Sequence, residues 1–130
     1  MKSILLFTIL SLILLLAGCE KDSFDYRSKY LGDYHFTLRD YSDIMGHIKD
    51  TTYYADGTIG NGQDSHSIAV NIQGIESVQL YLFEDGSVSG NSYDYYRIRG
   101  EFESGNTLKY SSTWWALPGT GSLTVTGNRK

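Results

Sequence analysis

Cysteine, proline and basic charge are all scarce in this chain of 130 residues, which holds one Cys, one Pro and only 11 Lys and Arg. A lone cysteine excludes an internal disulfide and any cysteine-rich zinc site. Fifteen acidic residues leave a formal charge of −4. That balance argues against nucleic acid as a partner, which needs clustered cations to neutralise phosphates. Catalytic signatures are missing as well. Gly86-Ser87-Val88-Ser89-Gly90 carries Val where a nucleophile elbow needs Ser. Gly57 to Gly62 is not followed by the Lys and Ser or Thr of a phosphate loop. His35, His47 and His66 show no ligand spacing, and Asp40, Asp43 and Asp50 lack the spacing and central Gly of an EF-hand loop. Asp64-Ser65-His66 is contiguous, and neighbours on an extended chain point to opposite faces, so it does not read as a triad. No metal, cofactor or enzymatic activity is expected.

What is present begins with a targeting signal. Lys2 precedes an apolar stretch from Ile4 to Leu16, broken only by Thr8 and Ser11, and the small Ala17 and Gly18 follow. This is secretory signal architecture, too short for a stable membrane span. Leu16-Ala17-Gly18-Cys19 resembles the lipobox of bacterial lipoproteins at all four positions. The resemblance implies cleavage before Cys19 and a diacylglycerol on its thiol. Two or more acyl chains, at about 0.8 kcal/mol per buried CH₂, make anchoring stable. The expected division is a signal peptide over 1–18, a lipidated tether over 19–29 and one domain over 30–130. The polar Glu20 to Lys29 supplies the tether. Its acidic start, Glu20-Lys21-Asp22, is similar to the export signal of some surface-displayed lipoproteins. The expected location is the cell envelope, on the outer membrane, facing either the periplasm or the exterior.

From Leu31 onward the hydrophobic pattern has period two. Tyr34, Phe36 and Leu38 alternate with polar residues, as do Ile68, Val70 and Ile72, then Val78, Leu80 and Leu82. Tyr96, Ile98 and Phe102 share a face opposite Arg97, Arg99, Glu101 and Glu103. Such alternation fits antiparallel sheet with one wet face. Turn signals fall at Asp56-Gly57, Asp85-Gly86, Ser104-Gly105-Asn106 and Pro118-Gly119. Strands are expected at about 31–39, 50–55, 66–73, 77–83, 87–90, 94–103, 107–113 and 122–128. The fold class is all-β, a single antiparallel meander of about eight strands, closed as a barrel or stacked as a sandwich. Asp40 to Lys49 fits least well. Ile44 and Ile48 stand at helical spacing there, which suggests a helical turn or lid.

Gly32-Asp33-Tyr34 near the domain start, with Arg129 after the last strand, resembles the Gly-x-Trp strand and closing basic residue of lipocalin-like (calycin) barrels. In outline the chain resembles small all-β lipoproteins of Gram-negative bacteria. That likeness implies a fold and no activity.

Aromatic residues are abundant: 11 Tyr, 5 Phe and 2 Trp. If Tyr96 points inward, Tyr93 and Tyr95 point outward with Arg97 and Arg99, and one of Trp114 and Trp115 also faces away from the core. A hairpin through Ser104-Gly105-Asn106 brings these tyrosines beside the tryptophans. Exposed rings beside guanidinium groups suit an acidic or sugar-like ligand, or a protein partner. The leading functional expectation is a membrane-tethered, non-catalytic, monomeric binding domain for a small molecule, glycan or envelope protein, first as a barrel with a ligand cavity and second as a partner-binding surface. A second reading is an envelope inhibitor. Ser89-Gly90-Asn91-Ser92-Tyr93 is similar to a loop of lysozyme-inhibitor lipoproteins, although those carry cysteines absent here. An enzyme of unknown class is the third.

Overall fold

The computed structural model describes residues 25–130; the signal segment and Cys19 lie outside the described residues. A 3₁₀ turn, Tyr26–Tyr30, precedes eight strands: β1 Gly32–Ile44, β2 His47–Asn61, β3 Ser67–Ile72, β4 Val78–Leu82, β5 Ser87–Ser89, β6 Tyr96–Glu103, β7 Thr107–Ala116 and β8 Gly119–Arg129. Each strand pairs with its sequence neighbour, and β8 returns to β1, closing an antiparallel barrel. Closure decides between barrel and sandwich.

Residues opposite one another in adjacent strands share a face, so the pairing sorts the inner face into rows. One row runs Ala55–Phe36–Gly127–Leu108–Phe102 across β2, β1, β8, β7 and β6. The next is Tyr53–Leu38–Val125–Tyr110–Gly100. Leu38, Leu80, Leu82, Leu108 and Val125 are fully buried. Water has no access to these side chains even from within, so the body of the barrel is a packed core.

Two features of the core correct expectations from sequence. Asp56-Gly57 is not a turn but lies inside β2. Gly57 and Gly127 flank Phe36 on the adjoining strands; a Cβ at Gly57 would overlap the Asn71 carbonyl of β3 and stand 2.9 Å from the Phe36 ring. The missing side chain makes room for the ring. Asp40 to Lys49 is not helical either. It is the tip of a long β1–β2 hairpin that turns at Met45 and Gly46, both with positive φ. The Asp43 carboxylate accepts the Gly46 N–H at 3.0 Å and braces that turn. At Gly86 (φ +90), where a turn was expected, the chain does turn, and the Asp85 carboxylate accepts the Ser87 N–H.

The 3₁₀ turn plugs one end of the barrel. Tyr30 stacks on Phe102 with centroids 4.1 Å apart, and Tyr34, fully buried, donates its hydroxyl to the Tyr30 carbonyl. The Tyr26 hydroxyl donates to the Leu82 carbonyl. Arg27 reaches the carbonyls of Asp64 and Ser67. Arg129 lies against Gly32 and donates to the Lys29 carbonyl at 3.0 Å. Residues 25–29, assigned to the tether by their polarity, are thus docked on the barrel.

Candidate functional site

The opposite end is uneven, and open in that no helical turn covers it among the described residues. Ile75 of the β3–β4 loop, Tyr96 and Leu123 pack onto the core there. Strands β3, β4 and β5 have 6, 5 and 3 residues, whereas β1 and β2 have 13 and 15. The tall wall of β7, β8, β1 and β2 therefore rises past the short one. Near the mouth the inner rows become polar and aromatic. Thr51–Asp40–Leu123–Ser112–Ile98 is followed by Lys49–Ser42–Gly121–Trp114–Tyr96. Trp114 lies over Gly121, where a Cβ would overlap the indole. Of the two tryptophans, Trp114 therefore faces the mouth.

Trp115 faces outward and is 41 % exposed. Its backbone N–H donates to the Tyr95 carbonyl at 3.0 Å, which carries the β6–β7 pairing past Tyr96. The Arg97 guanidinium sits over the Trp115 ring, 5.7 Å from its centroid. Tyr93 and Tyr96 exchange backbone hydrogen bonds around a tight turn, and Tyr95 lies within it. The Tyr93 and Tyr95 rings stack at 6.1 Å and are about 60 % exposed. Tyr93, Tyr95, Arg97 and Trp115 thus form one exposed cluster at the open end. Arg99 lies one step toward the closed end, between Ser89 of β5 and Ser111 of β7. Among the described residues neither Arg97 nor Arg99 joins an ion pair. Both charges are free to meet a ligand.

No protein-family profile matches this sequence, and no curated protein does. Asp64-Ser65-His66 is not wired as a triad: the Asp64 carboxylate accepts the His66 backbone N–H rather than a ring proton. Ser65 Oγ lies 3.0 Å from His66 Nδ1, while the imidazole stacks on Tyr81. Ser89, Gly90 and Asn91 of the inhibitor-like loop line a groove of about 440 Å³ with Gln63, Ser67 and Gln79.

Sequence reasoning took Asp40 to Lys49 for a helical turn or lid and did not single out the outer face of the β1–β2 arm. Its outer face carries Ile48 and Tyr54, 66 % and 78 % exposed. The Arg39–Asp50 and Lys49–Asp40 ion pairs tie its two strands together. Arg39 holds the Asp50 carboxyl below its ordinary range through paired hydrogen bonds. The adjacent Tyr53 and Tyr54 were the available signal, since consecutive rings on a strand must expose one.

Proposed function

We propose that this protein is a lipid-anchored, non-catalytic binding domain that holds the open end of its barrel away from the membrane. The cluster of Tyr93, Tyr95, Arg97 and Trp115, with Arg99 beside it, recognises an acidic or sugar-like ligand. The observation that carries this reading is the Arg97–Trp115 stack: an exposed indole with an unpaired guanidinium over it, at the end opposite the chain's entry. Stacking a ring on the indole and pairing an anion with Arg97 are separable gains, about 0.5–1.5 kcal/mol for the first and 1.5–3 kcal/mol for the second. The packed core turns the reading toward the surface and mouth rather than an internal cavity. Gly32-x-Tyr34 and Arg129 keep the order of the lipocalin-like pattern, with Arg129 against Gly32 rather than stacked on the Tyr34 ring.

Tryptophan fluorescence of residues 19–130, carrying Cys19→Ser, tests the assignment when titrated with oligogalacturonates and with neutral malto-oligosaccharides. A saturable response to the acidic series is expected, weakened about tenfold or more in Arg97→Ala. Stability should change little, because an exposed cation–π contact contributes about 0.5–1 kcal/mol. No response to either series, or a response untouched by Arg97→Ala, would refute the assignment.

A further inference from the structure

The arm has a free edge. Strand β2 pairs with β3 only from Gly57 to Asn61, whereas its pairing with β1 runs back to His47. Alternate residues of a strand aim both backbone polar groups to the same side. The Asp56 carbonyl accepts the Gln73 N–H, so Asp56 faces the β3 side. Ile48, Asp50, Thr52 and Tyr54 share its parity, and among the described residues no strand meets their N–H and C=O groups. Natural edges are usually blunted by proline, bulges or charged side chains, lysine above all. Here the register is unbroken, no proline intervenes, and Lys49 is neutralised by Asp40.

We propose that this edge pairs with the same edge of a second copy, antiparallel, about a two-fold axis through Thr51. The free run Ile48–Tyr54 is centred on Thr51, and that register meets every requirement of an antiparallel ladder. Residues with free backbone groups face each other: Ile48 opposes Tyr54 of the second copy, and Asp50 opposes Thr52. On the other face Lys49 opposes Tyr53. No like charges meet. Shifting the axis to Asp50 would set aspartate against aspartate, and shifting it to Lys49 would set lysine against lysine. The two most exposed apolar side chains of the strand, Ile48 and Tyr54, become a cross-strand pair of the β-branched–aromatic kind. The charged groups bring no new cost, because Asp50 and Lys49 are already partnered within their own copy. The interface is isologous, as a two-fold requires. The axis stands perpendicular to the sheet, so the closed ends of the two barrels point in opposite directions. Anchored copies would therefore meet from facing membranes rather than within one leaflet.

Sedimentation velocity on residues 19–130 with Cys19→Ser tests the inference over rising concentration. A reversible dimer is expected. Thr52→Pro deletes an N–H that faces the free edge and should give a monomer with an unchanged circular dichroism spectrum. Ile48→Lys combined with Tyr54→Lys sets ammonium against ammonium while keeping the backbone, and should also give a monomer. A monomer at every concentration, or a dimer that survives the double-lysine variant, overturns the inference.

Discussion

At the scale of single residues, the barrel is fitted by exchanging large rings against absent side chains. Phe36 occupies the space left by Gly57 and Gly127, and Trp114 the space left by Gly121. The same crowding sets the chemistry of Tyr110. Burial, reinforced by Tyr96, pushes its phenol from 10 up to about 12. The neutral form is thus favoured in the folded state. A group whose folded pKa is raised contributes stability that is complete below its unfolded value and is lost as pH rises through the folded one. The window here runs from pH 10 to about 12, and its full depth is about 2–3 kcal/mol. Urea unfolding at pH 9, 10.5 and 11.5 should show this alkaline loss. Tyr110→Phe should make it shallower. Some loss should persist, since burial also raises the Tyr34 phenol. An alkaline slope identical in the two proteins would contradict the assignment.

Among the elements, the β1–β2 arm separates what backbone pairing does from what packing does. Odd-numbered residues of β2 bond to β1, while even-numbered ones face the free edge. Proline should therefore act oppositely at adjacent positions. Thr51→Pro removes a ladder bond to β1 opposite Asp40 and should cost about 3 kcal/mol or roughly abolish the arm, whereas Thr52→Pro should leave the melting temperature of the monomer nearly unchanged. Equal effects at 51 and 52 would show that the pairing side is misassigned. The arm also marks where the sequence stops being legible. Period-two patterning exposed the strands wherever one face was apolar, as in Tyr34-His35-Phe36-Thr37-Leu38. Above the core the inner positions become Asp40 and Ser42, no longer apolar, so the alternation disappears although the strand continues. The turn there is Met45-Gly46 rather than Asn-Gly, which hides it further. Asp56-Gly57 misled for the converse reason: a dipeptide suited to positive φ serves instead as a slot for Phe36. In the site, alternation from Tyr96 placed Arg97, Arg99 and Tyr95 outward. Choosing Trp115 over Trp114 needed the register, because Gly121 beneath Trp114 becomes its neighbour only through the β7–β8 pairing.

For the whole molecule, polarity links the proposed anchor to the proposed site. The chain enters the described structure at Asp25, where the 3₁₀ turn caps the closed end, and the exposed rings and the arm stand at the other. Five residues, 20–24, separate Cys19 from Asp25 at that cap, and a chain of that length spans at most about 20 Å. An acylated Cys19 would hold the closed end against the bilayer and leave the open end facing outward. The barrel itself has no need of the lipid, because β8 returns to β1 and the 3₁₀ turn seals its base from within residues 25–130. Cys19→Ser should therefore separate location from fold. Radiolabelled palmitate should no longer be incorporated and the protein should leave the membrane fraction. The released domain should keep a β-rich far-ultraviolet spectrum and the fluorescence response assigned to Arg97 and Trp115. Continued labelling in Cys19→Ser would remove the anchor, and with it the reason for a membrane-distal site. Loss of the fold on release would mean that the barrel is not the self-sufficient unit its closed hydrogen-bond circuit implies.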